Sequence, residues 1–350
     1  MTEYEKKAQN KLDELRGKKD VIILAIESSC DETAAAVLEG KTVLSNEISS
    51  QIEIHKRFGG VVPEIASRNH VIAIGNVVSE AIKKAELTLK DIEVIAVTYG
   101  AGLQGALLVG VSFAKSLAYA LGIPIVGIDH IKGHVLANFL VHEELNFPFL
   151  CMLASGGHTE LMEVKSYGNM KVLGATRDDA AGEAFDKVAR VIGLPYPGGP
   201  QIEKHAVEGK NTVVLPRPYK GEDTLDFSYS GIKTAVINYV RNAEQRGEKI
   251  NTHDVAKSFQ DRATGMLVEN AIKAAKKYGY KEIAIAGGVG ANGEFRRKMT
   301  EEGKKNGIKV YLPPKILCTD NGAMIGAAAY FAISEGIPAA ALSLDANPDL

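Results

Sequence analysis

The alternation of apolar runs with polar segments predicts a chain in which strands and helices follow one another. Residues 21–26 form a continuous aliphatic run with the length of a buried strand. Apolar positions spaced three and four residues apart predict a helix from about residue 67 to residue 85. Further strands are predicted at 34–38, 42–45, 92–97, 123–128, 147–154, 160–164, 171–174, 282–286 and 310–312, and further helices at 106–121, 181–192, from 294 onward and at 322–334. Strands alternating with helices indicate an α/β fold.

The order strand, polar turn, strand, strand, helix, strand occurs twice, from residue 21 and from residue 147. The two copies share little sequence, so the pattern predicts an internal structural duplication and two lobes. Residues 195–260 interrupt the second copy and are rich in turn-forming residues, and we expect an insertion there that builds part of a site. The length of the chain predicts about two domains. The bounds that we expect rest in part on the family resemblance given below and are a polar extension (1–20, a tail or surface helix), an N-terminal lobe (21–146 plus 322–350) and a C-terminal lobe (147–321).

Composition restricts the class of protein. The 350 residues are 45% hydrophobic and 24% charged, which is ordinary for a globular chain. The formal net charge is −2, so a polyanionic partner would need a local basic patch or a helper protein. Three scattered cysteines indicate a reducing compartment. The first 20 residues are mostly charged or polar and lack a secretory signal. The chain also contains no run of ~20 apolar residues, which a membrane span would require, so we expect a cytoplasmic protein.

His130 and His134 stand four residues apart at the start of a helical stretch. Residues with this spacing lie one turn apart on one face of a helix, and neutral imidazole is a common ligand of transition metals. A third ligand must come from elsewhere in the chain, and our candidate is Asp320. The alternative is a pair of surface histidines. A zinc-protease site is disfavoured, because Ile131 stands where the H-E-x-x-H motif has its glutamate base.

Three polar turns that follow predicted strands are candidates for phosphate binding through hydroxyls and backbone N–H groups. They lie at residues 27–33, 155–159 and 287–293. One such hairpin is usually only a turn, but three of them in duplicated halves predict a nucleotide site. The chain has neither a Rossmann fingerprint nor a P-loop. The glycines of 287–293 are expected to let the backbone lie against an adenine or ribose, the alternative being a simple helix start.

An acidic segment precedes the helix predicted at 181–192. Asp178 and Asp179 are most simply explained by favourable interaction with the helix N-terminus. Asp186 lies inside the helix, where its carboxylate could accept hydrogen bonds from substrate hydroxyl groups.

Six motifs in sequence order resemble those of the bacterial TsaD family, the tRNA N6-adenosine threonylcarbamoyltransferases formerly described as O-sialoglycoprotein endopeptidases. The motifs are ESSCDET (27–33), FGGVVPEIASR (58–68), H-x-x-x-H (130–134), LASGGHT (153–159), DFSYSGIK (226–233) and GGV-x-AN (287–292). The resemblance covers residues 21–335 and leaves the first 20 residues outside it.

The resemblance implies an α/β fold of the actin/Hsp70/sugar-kinase type, with two duplicated ribonuclease-H-like lobes around a cleft that holds an adenylate or ATP-type nucleotide. It implies transfer of threonylcarbamoyl from threonylcarbamoyl-AMP to N6 of adenosine 37 in tRNAs that read ANN codons. The family's catalytic metal, Fe²⁺ or Zn²⁺, would be held by His130, His134 and Asp320. Substrate contacts would come from Leu153, Ala154, Ser155, Gly156, Gly157, Asp186, Gly199, Glu203 and Asn292. Position 203 is commonly Asp in the family, and position 290, here Gly, is often Ser.

The resemblance also implies protein partners, namely a TsaB-type pseudo-paralogue that pairs lobe to lobe and a TsaE-type ATPase. We expect helices of the first lobe, including 67–85, to supply the pairing face. Basic runs at 273–281, 296–298 and 304–305 are candidates for tRNA contact, although each is most simply a solvated helix face.

Two other classes of function share part of this pattern. A phosphotransferase or ATPase of the same superfamily acting on a small molecule would use the polar turns, but it would not need the histidine pair with Asp320. A non-enzymatic pseudo-paralogue should lack the metal-ligand positions, whereas all three are present here.

Overall fold

Two five-stranded mixed sheets organise the chain, one in each of two units. The computed structural model describes residues 1–350. The first unit comprises Met1–Ile54, Val61–Leu145 and Thr319–Leu350, and the second comprises His55–Gly60 and Asn146–Cys318.

The elements are numbered here in chain order. The strands are β1 (Ile22–Glu27), β2 (Glu32–Glu39), β3 (Thr42–Ser50), β4 (Val94–Gly100), β5 (Ile125–Asp129), β6 (Phe149–Ala154), β7 (Thr159–Ser166), β8 (Asn169–Ala175), β9 (Glu282–Ala286) and β10 (Lys309–Tyr311). The helices are α1 (Glu3–Leu15), α2 (Ile52–His55), α3 (Pro63–Lys84), α4 (Gln104–Leu121), α5 (His130–Leu136), α6 (Ala181–Val191), α7 (Gly198–Ala206), α8 (Ser230–Gln245), α9 (Thr252–Tyr278), α10 (Gly293–Lys305), α11 (Lys315–Cys318) and α12 (Gly322–Ser334). Short 3-10 turns occupy Lys56–Phe58, Ala137–Leu140 and Gly288–Ala291.

The two sheets have the same topology. The first has the strand order β3-β2-β1-β4-β5, and the second, read from the opposite edge, has the order β8-β7-β6-β9-β10. In each sheet the first strand pairs antiparallel with the second and parallel with the fourth. The remaining pairs also correspond, antiparallel between second and third strands and parallel between fourth and fifth. This shared order confirms the α/β fold and the internal duplication that the sequence pattern predicts.

The first sheet is covered on both faces, which explains why β1 is a continuous apolar run rather than an alternating one. Successive side chains of β2 point to opposite faces. Ala35 and Val37 belong to the core that β2 shares with α3 and α4. Leu38 faces the other way, against α12, where a Cβ at Gly326 would lie 2.2 Å from its Cδ1. Each fully buried aliphatic side chain of this kind contributes ~1.5–3 kcal/mol to stability.

The largest difference from the predicted elements lies in residues 195–260. The sequence analysis assigns no helix or strand to this turn-rich insertion, whereas the structure contains α7, α8 and the start of the 27-residue helix α9 there. Helix α9 buries one face from Val255 to Ala275 in the core of the second unit. Its apolar positions recur at helical spacing, so tertiary burial explains why this segment is a helix despite the turn residues that precede it.

Helix α1 is part of the first unit. Thr2 and Glu5 form a capping box at its start, with the Glu5 N–H donating to Thr2 Oγ1 at 3.2 Å and the Thr2 N–H donating to Glu5 Oε2 at 2.7 Å. Ala8, Leu12 and Leu15 are buried on one face. The Tyr4 hydroxyl donates to the carbonyl of Ile123 at 2.7 Å. The charged sequence of residues 1–20 therefore contains an amphipathic helix.

Helix α4 is the one helix with the length and mean hydropathy, 1.2 over 18 residues, to cross a membrane. Val111, Ala114 and Ala118 on one face are buried in the core that packs against the first sheet. Core helices pass the same test of length and composition, so the helix is weak evidence for a membrane span. The expectation that no segment spans a membrane stays a prediction.

We expect Leu12→Ala to lower the free energy of unfolding by about 2–4 kcal/mol, because Leu12 is fully buried and its truncation leaves a cavity. Denaturant unfolding of the full chain measures this change. Glu14→Ala on the exposed face of α1 is the matched control and should change stability by less than about 0.5 kcal/mol. Equal effects of the two substitutions would show that α1 does not pack on the first unit in solution.

Candidate functional site

His130 and His134 lie in the first turns of α5, directly after β5. The Asp129 side chain starts this helix by accepting hydrogen bonds from the N–H groups of Ile131 at 2.7 Å and Lys132 at 3.4 Å. Both histidines are buried, and their rings are 4.7 Å apart with an interplanar angle of 85°. The helix begins at His130 itself, and the predicted i, i+4 placement of the two histidines on one face is confirmed.

The Asp320 carboxylate lies close to both imidazole rings. Its Oδ1 lies 3.2 Å from Nε2 of His134 and 3.5 Å from Nε2 of His130. The residue directly precedes α12, which Asn321 caps by accepting the N–H of Met324 at 3.0 Å. A Cβ at Gly133 would lie 2.9 Å from Cδ1 of Ile325, so the glycine between the two histidines permits the close packing of α5 on α12. This packing holds one ligand atom from each of the three residues within 4.8 Å of the others.

The three side chains fit a divalent transition metal. His134 is 1% exposed, and neither of its ring nitrogens has a hydrogen-bond partner, although Nε2 is near Asp320. A buried polar atom without a partner costs ~1–3 kcal/mol, which a bound cation at Nε2 would offset. Two imidazoles and one carboxylate are ligands that iron and zinc accept, and three protein ligands leave positions open for substrate.

The electrostatics of this cluster favour positive charge. Burial alone would lower the pKa of His130, but the Asp320 and Glu27 carboxylates raise that pKa to about 9. Burial would raise the pKa of Asp320, but the charge of His130 and the contact with His134 lower that pKa to about 2. The carboxylates therefore stabilise a cation at this position, whether proton or metal.

Two buried residues near the histidines have no role assigned by the sequence analysis. Glu27, at the end of β1, has a fully buried side chain whose Oε2 is 3.2 Å from Nδ1 of His130. His70 of α3 contacts the turn 27–33 through Thr33 Oγ1 at 2.7 Å and the Cys30 carbonyl at 2.9 Å. The sequence does indicate a special environment for Glu27. A carboxylate at the end of a continuous apolar run is buried only where hydrogen-bond donors surround it.

The turn 155–159 of the second unit exposes backbone at its glycines. Leu153 and Ala154 are the last residues of β6, and their side chains are buried in the core of that unit. Ser155 closes the turn, with its N–H donating to the His158 carbonyl at 2.8 Å and its Oγ accepting the His158 N–H at 3.0 Å. Gly156 and Gly157 are exposed, and a Cβ at either would meet nothing within 4 Å. Of these five predicted substrate residues, the two glycines have the most accessible backbone.

The other four predicted substrate residues lie in connected elements of the second unit. Asp186 of α6 accepts the N–H of Gly198 at 2.6 Å, next to Gly199 at the start of α7. Glu203 of α7 accepts the N–H of Gly293 at 3.0 Å, next to Asn292. The Glu203 side chain therefore links α7 to the start of α10.

The Asn292 side chain is occupied within the protein. Its Oδ1 caps α10 by accepting the N–H of Phe295 at 2.9 Å, and its Nδ2 donates to Gln260 at 2.9 Å. The nearby Gly287 has a φ of 82°, and a Cβ there would lie 2.5 Å from the Ala154 carbonyl oxygen. Packing against β6 thus explains Gly287, whereas a Cβ at Gly288 would meet nothing within 4 Å. The sequence around 287–293 forms a 3-10 turn before α10 rather than a direct helix start.

Asp178 and Asp179 have hydrogen-bond and ion-pair partners in addition to their position before the N-terminus of α6. Asp178 accepts hydrogen bonds from four groups of the DFSYSGIK segment, Ser228 Oγ at 2.5 Å, Ser230 Oγ at 2.7 Å, and the N–H groups of Tyr229 and Ser230 at 2.7 and 3.1 Å. Burial raises the pKa of Asp178, but these bonds outweigh it and hold the pKa below its ordinary value. Asp179 pairs with Lys187 at 2.8 Å and with Lys233. Both carboxylates fix the segment 226–233 beside α6.

Several cations of the basic runs are paired with carboxylates. Arg297 contacts Glu294 and Glu301 at 2.8 and 2.7 Å. Lys273 and Lys277 each lie 3.0 Å from Asp223. These contacts agree with the interpretation of the runs as solvated helix faces.

Comparison with known proteins identifies close relatives along nearly the whole chain. The family model described as "TsaD: tRNA N6-adenosine threonylcarbamoyltransferase" matches residues 42–327. A protein of Clostridium novyi (strain NT) named tRNA N6-adenosine threonylcarbamoyltransferase is 57% identical over 335 residues, which are 95% of this chain and 98% of that protein. A protein of the same name from Clostridium perfringens (strain ATCC 13124) is 56% identical over 331 residues, 94% of this chain and 97% of that protein.

Solved structures with low sequence identity share the fold. Full-length HypF, in its phosphate- and nucleotide-bound form, aligns with a TM-score of 0.62 at 15% identity over 91% of this chain. The chain spans about half of HypF, 47% of its length. The activator of 2-hydroxyisocaproyl-CoA dehydratase from Clostridium difficile aligns with a TM-score of 0.52 at 14% identity, over 90% of this chain and 96% of that one. At these identities the likeness concerns the fold alone.

We expect the metal-free protein to bind one equivalent of Zn²⁺, measured by competition with a chelating dye. His134→Ala should weaken this binding by more than the roughly 10–100-fold that loss of an outer-shell partner costs, because one of three protein ligands is removed. The control is His205→Ala in the second unit, which should bind as the unchanged protein does. Wild-type affinity in His134→Ala would contradict the metal centre.

Proposed function

The chain belongs to the TsaD family of tRNA N6-adenosine threonylcarbamoyltransferases, and from this we infer that it transfers a threonylcarbamoyl group to N6 of adenosine 37 in tRNA. The observation that carries the inference is the match of the family model over residues 42–327, together with 57% identity to a full-length relative of that name. The enzyme is a transferase, and the small-molecule phosphotransferase alternative is not favoured.

We propose threonylcarbamoyl-AMP as the donor and tRNAs that read ANN codons as acceptors. In the transfer, N6 of the adenine forms a bond to the carbamoyl carbonyl carbon. The bond from that carbon to the phosphate oxygen breaks with its electron pair on AMP, and N6 loses one proton. The adenine amine is a poor nucleophile, so the leaving group supplies most of the driving force, and the protein supplies position and electrostatics. A base in an anticodon loop is accessible without melting a long duplex.

Family membership implies a divalent metal and a nucleotide-related ligand. We propose that His130, His134 and Asp320 hold the metal, with Fe²⁺ the first candidate and Zn²⁺ the second. The support is the convergence of their ligand atoms and the unpartnered nitrogens of His134. Such an ion, when bound, supplies Lewis acidity for polarising a carbonyl group and a point of attachment for a carboxylate or hydroxyl.

We propose that the second unit supplies most of the contacts to the donor. The backbone of Ser155, Gly156 and Gly157, with the preceding Leu153 and Ala154, is suited to hydrogen bonding with a phosphate or carbamoyl group, since the two glycines are exposed. Asp186 and Glu203 are carboxylates suited to accept hydroxyl hydrogens of ribose or threonine. Gly199 and Asn292 would contribute backbone contacts, because the Asn292 amide is occupied by Phe295 and Gln260.

We propose a cytoplasmic enzyme that works with a TsaB-type partner and a TsaE-type ATPase. The chain has no global positive charge for binding tRNA, and several cations of its basic runs are paired internally, so a helper that contributes to tRNA binding fits its electrostatics. The proposed face for the TsaB-type partner is formed by α3 and α4. Val71 and Ile72 on α3 are 65% and 75% exposed, and a shallow groove of about 510 Å³ lies beside them, lined by Ile74, Leu108 and Phe113 among others. Exposed apolar side chains in a cluster mark contact sites.

We expect His130→Ala to reduce the rate of transfer to below roughly 1% of the unchanged enzyme, since removing one electrostatic stabiliser costs about 10²–10³ in rate. The assay contains the protein, both helper proteins, the upstream synthase, threonine, bicarbonate, ATP and unmodified tRNA, with nucleoside analysis of the product. A thermal unfolding curve confirms that the variant is folded. Product formed at the wild-type rate by metal-stripped His130→Ala would reject the metal role. ATP hydrolysis without any modified nucleoside from the unchanged protein would instead favour the phosphotransferase.

Ile72→Asp should weaken association with the TsaB-type partner by about tenfold or more, because it places an unpaired charge in an apolar contact. Analytical ultracentrifugation or titration calorimetry with purified partner measures the change. Val207→Asp is the control, since Val207 is an equally exposed apolar residue, 82%, in the second unit. A similar loss in both variants, or in neither, would place the contact elsewhere.

A further inference from the structure

The Glu27 carboxylate is buried, and the only basic side chain beside it is that of His130. Its side chain has 0% exposure at the end of β1, where the sheet meets the start of α5. Removing an ionised carboxylate from water is unfavourable unless donors replace the lost hydration. The groups around Glu27 therefore indicate why a carboxylate stands there.

Three donor groups from three elements surround the carboxylate. Its Oε1 accepts the N–H of Ser29 at 2.5 Å. Its Oε2 accepts the Thr98 hydroxyl, from β4, at 2.5 Å and lies 3.2 Å from Nδ1 of His130. The first two donors fix the carboxylate in place, and its contact with His130 orients the ring.

His130 presents its two nitrogens to different partners. Nε2 faces Asp320 at 3.5 Å, in the cluster proposed to hold a metal, and Nδ1 faces Glu27. A histidine that binds a metal through Nε2 is neutral and carries its remaining proton on Nδ1, where it needs an acceptor. Ser29 Oγ, at 3.1 Å from the same nitrogen, is the second possible acceptor.

We propose that Glu27 is a positioning residue that holds His130 with Nδ1–H toward its carboxylate and the Nε2 lone pair toward the metal. The proposal rests on the proposed metal centre and deepens it. Glu27 does not touch metal or substrate, and it acts through the orientation and tautomer of His130.

Glu27→Gln is the sharpest test because it keeps the volume and removes one acceptor. The amide has a single acceptor oxygen and two N–H donors, so it cannot accept from Ser29, Thr98 and His130 as the carboxylate does. We expect the affinity for Zn²⁺ to fall roughly 10–100-fold, the range for loss of an outer-shell partner. Glu27→Asp keeps the charge with a shorter reach and should lose less affinity than Glu27→Gln.

Two control variants separate orientation from general effects. Ser29→Ala removes the alternative acceptor. If Glu27 is the principal acceptor of the His130 Nδ1–H, the affinity for Zn²⁺ should fall by less than about threefold. Glu93→Gln makes the same chemical change at a carboxylate that accepts the Ile22 N–H at 2.9 Å and contacts Lys18, away from the histidines. It should bind Zn²⁺ as the unchanged protein does. A loss in Ser29→Ala that equals the loss in Glu27→Gln would overturn the proposal.

Two spectroscopic readouts complement the affinities, and the first of them uses only the unchanged protein. In the zinc-loaded, ¹⁵N-histidine-labelled full chain, the ¹⁵N shifts and long-range couplings of His130 should show a proton on Nδ1 and metal on Nε2. Co²⁺ in place of Zn²⁺ should give a ligand-field spectrum that changes in Glu27→Gln and not in Glu93→Gln. A proton on Nε2 of His130 in the zinc-loaded protein, or unchanged affinity and spectrum in Glu27→Gln, would refute the role of Glu27.

These outcomes distinguish failure of the inference from failure of the metal centre. If His130→Ala binds Zn²⁺ as tightly as the unchanged protein, the metal centre itself is wrong and the role of Glu27 falls with it. If His130→Ala loses the metal and Glu27→Gln does not, the metal centre stands and only the positioning role is rejected.

Discussion

The close packing of α12 on the first sheet is the constraint on which the candidate metal centre depends. Gly322 and Gly326 allow the approach, since a Cβ at Gly322 would lie 2.5 Å from the backbone nitrogen of Ala36. This contact brings Asp320, at the start of the helix, back to two histidines that precede it by almost two hundred residues. Any residue with a side chain at either glycine would push the helix outward and separate the carboxylate from the imidazoles.

The duplicated sheets share one strand order, but their first turns carry different kinds of polar group. In each unit a polar turn joins the first strand to the second, after Glu27 in β1 and after Ala154 in β6. The first turn belongs to a region of buried carboxylates and histidines suited to cations. The second consists of serine and exposed glycines, which suit anions because only backbone N–H groups and hydroxyls are offered. The strand order is the same in both units, while the polar groups that the two turns offer are different.

The sequence pattern predicts the central strands and the histidine pair well, because these depend on local features. Strand β9 and helix α12 have the predicted bounds, since a continuous apolar run and a capped apolar segment each define one element. Helices α7 to α9 are missed, because glycine and proline before residue 230 suggest loops, and burial against the second sheet overrides that local preference. Glu27 is missed for a related reason, since its role depends on Thr98 and His130, which are distant in sequence.

The first unit is discontinuous, and this affects the order in which the protein is completed during synthesis. The second unit is almost one continuous segment, Asn146–Cys318, whereas the first takes its last portion from Thr319–Leu350. Chain termini also meet there, with Gln9 accepting the N–H of Ala339 at 2.9 Å and Arg16 donating to the Gly336 carbonyl at 3.0 Å. Since segments fold as they leave the ribosome, the face of β2 that α12 covers stays open until residues 322–334 emerge. The cluster of His130, His134 and Asp320 is therefore assembled only after the second unit has been synthesised, and the metal centre proposed there cannot form before then.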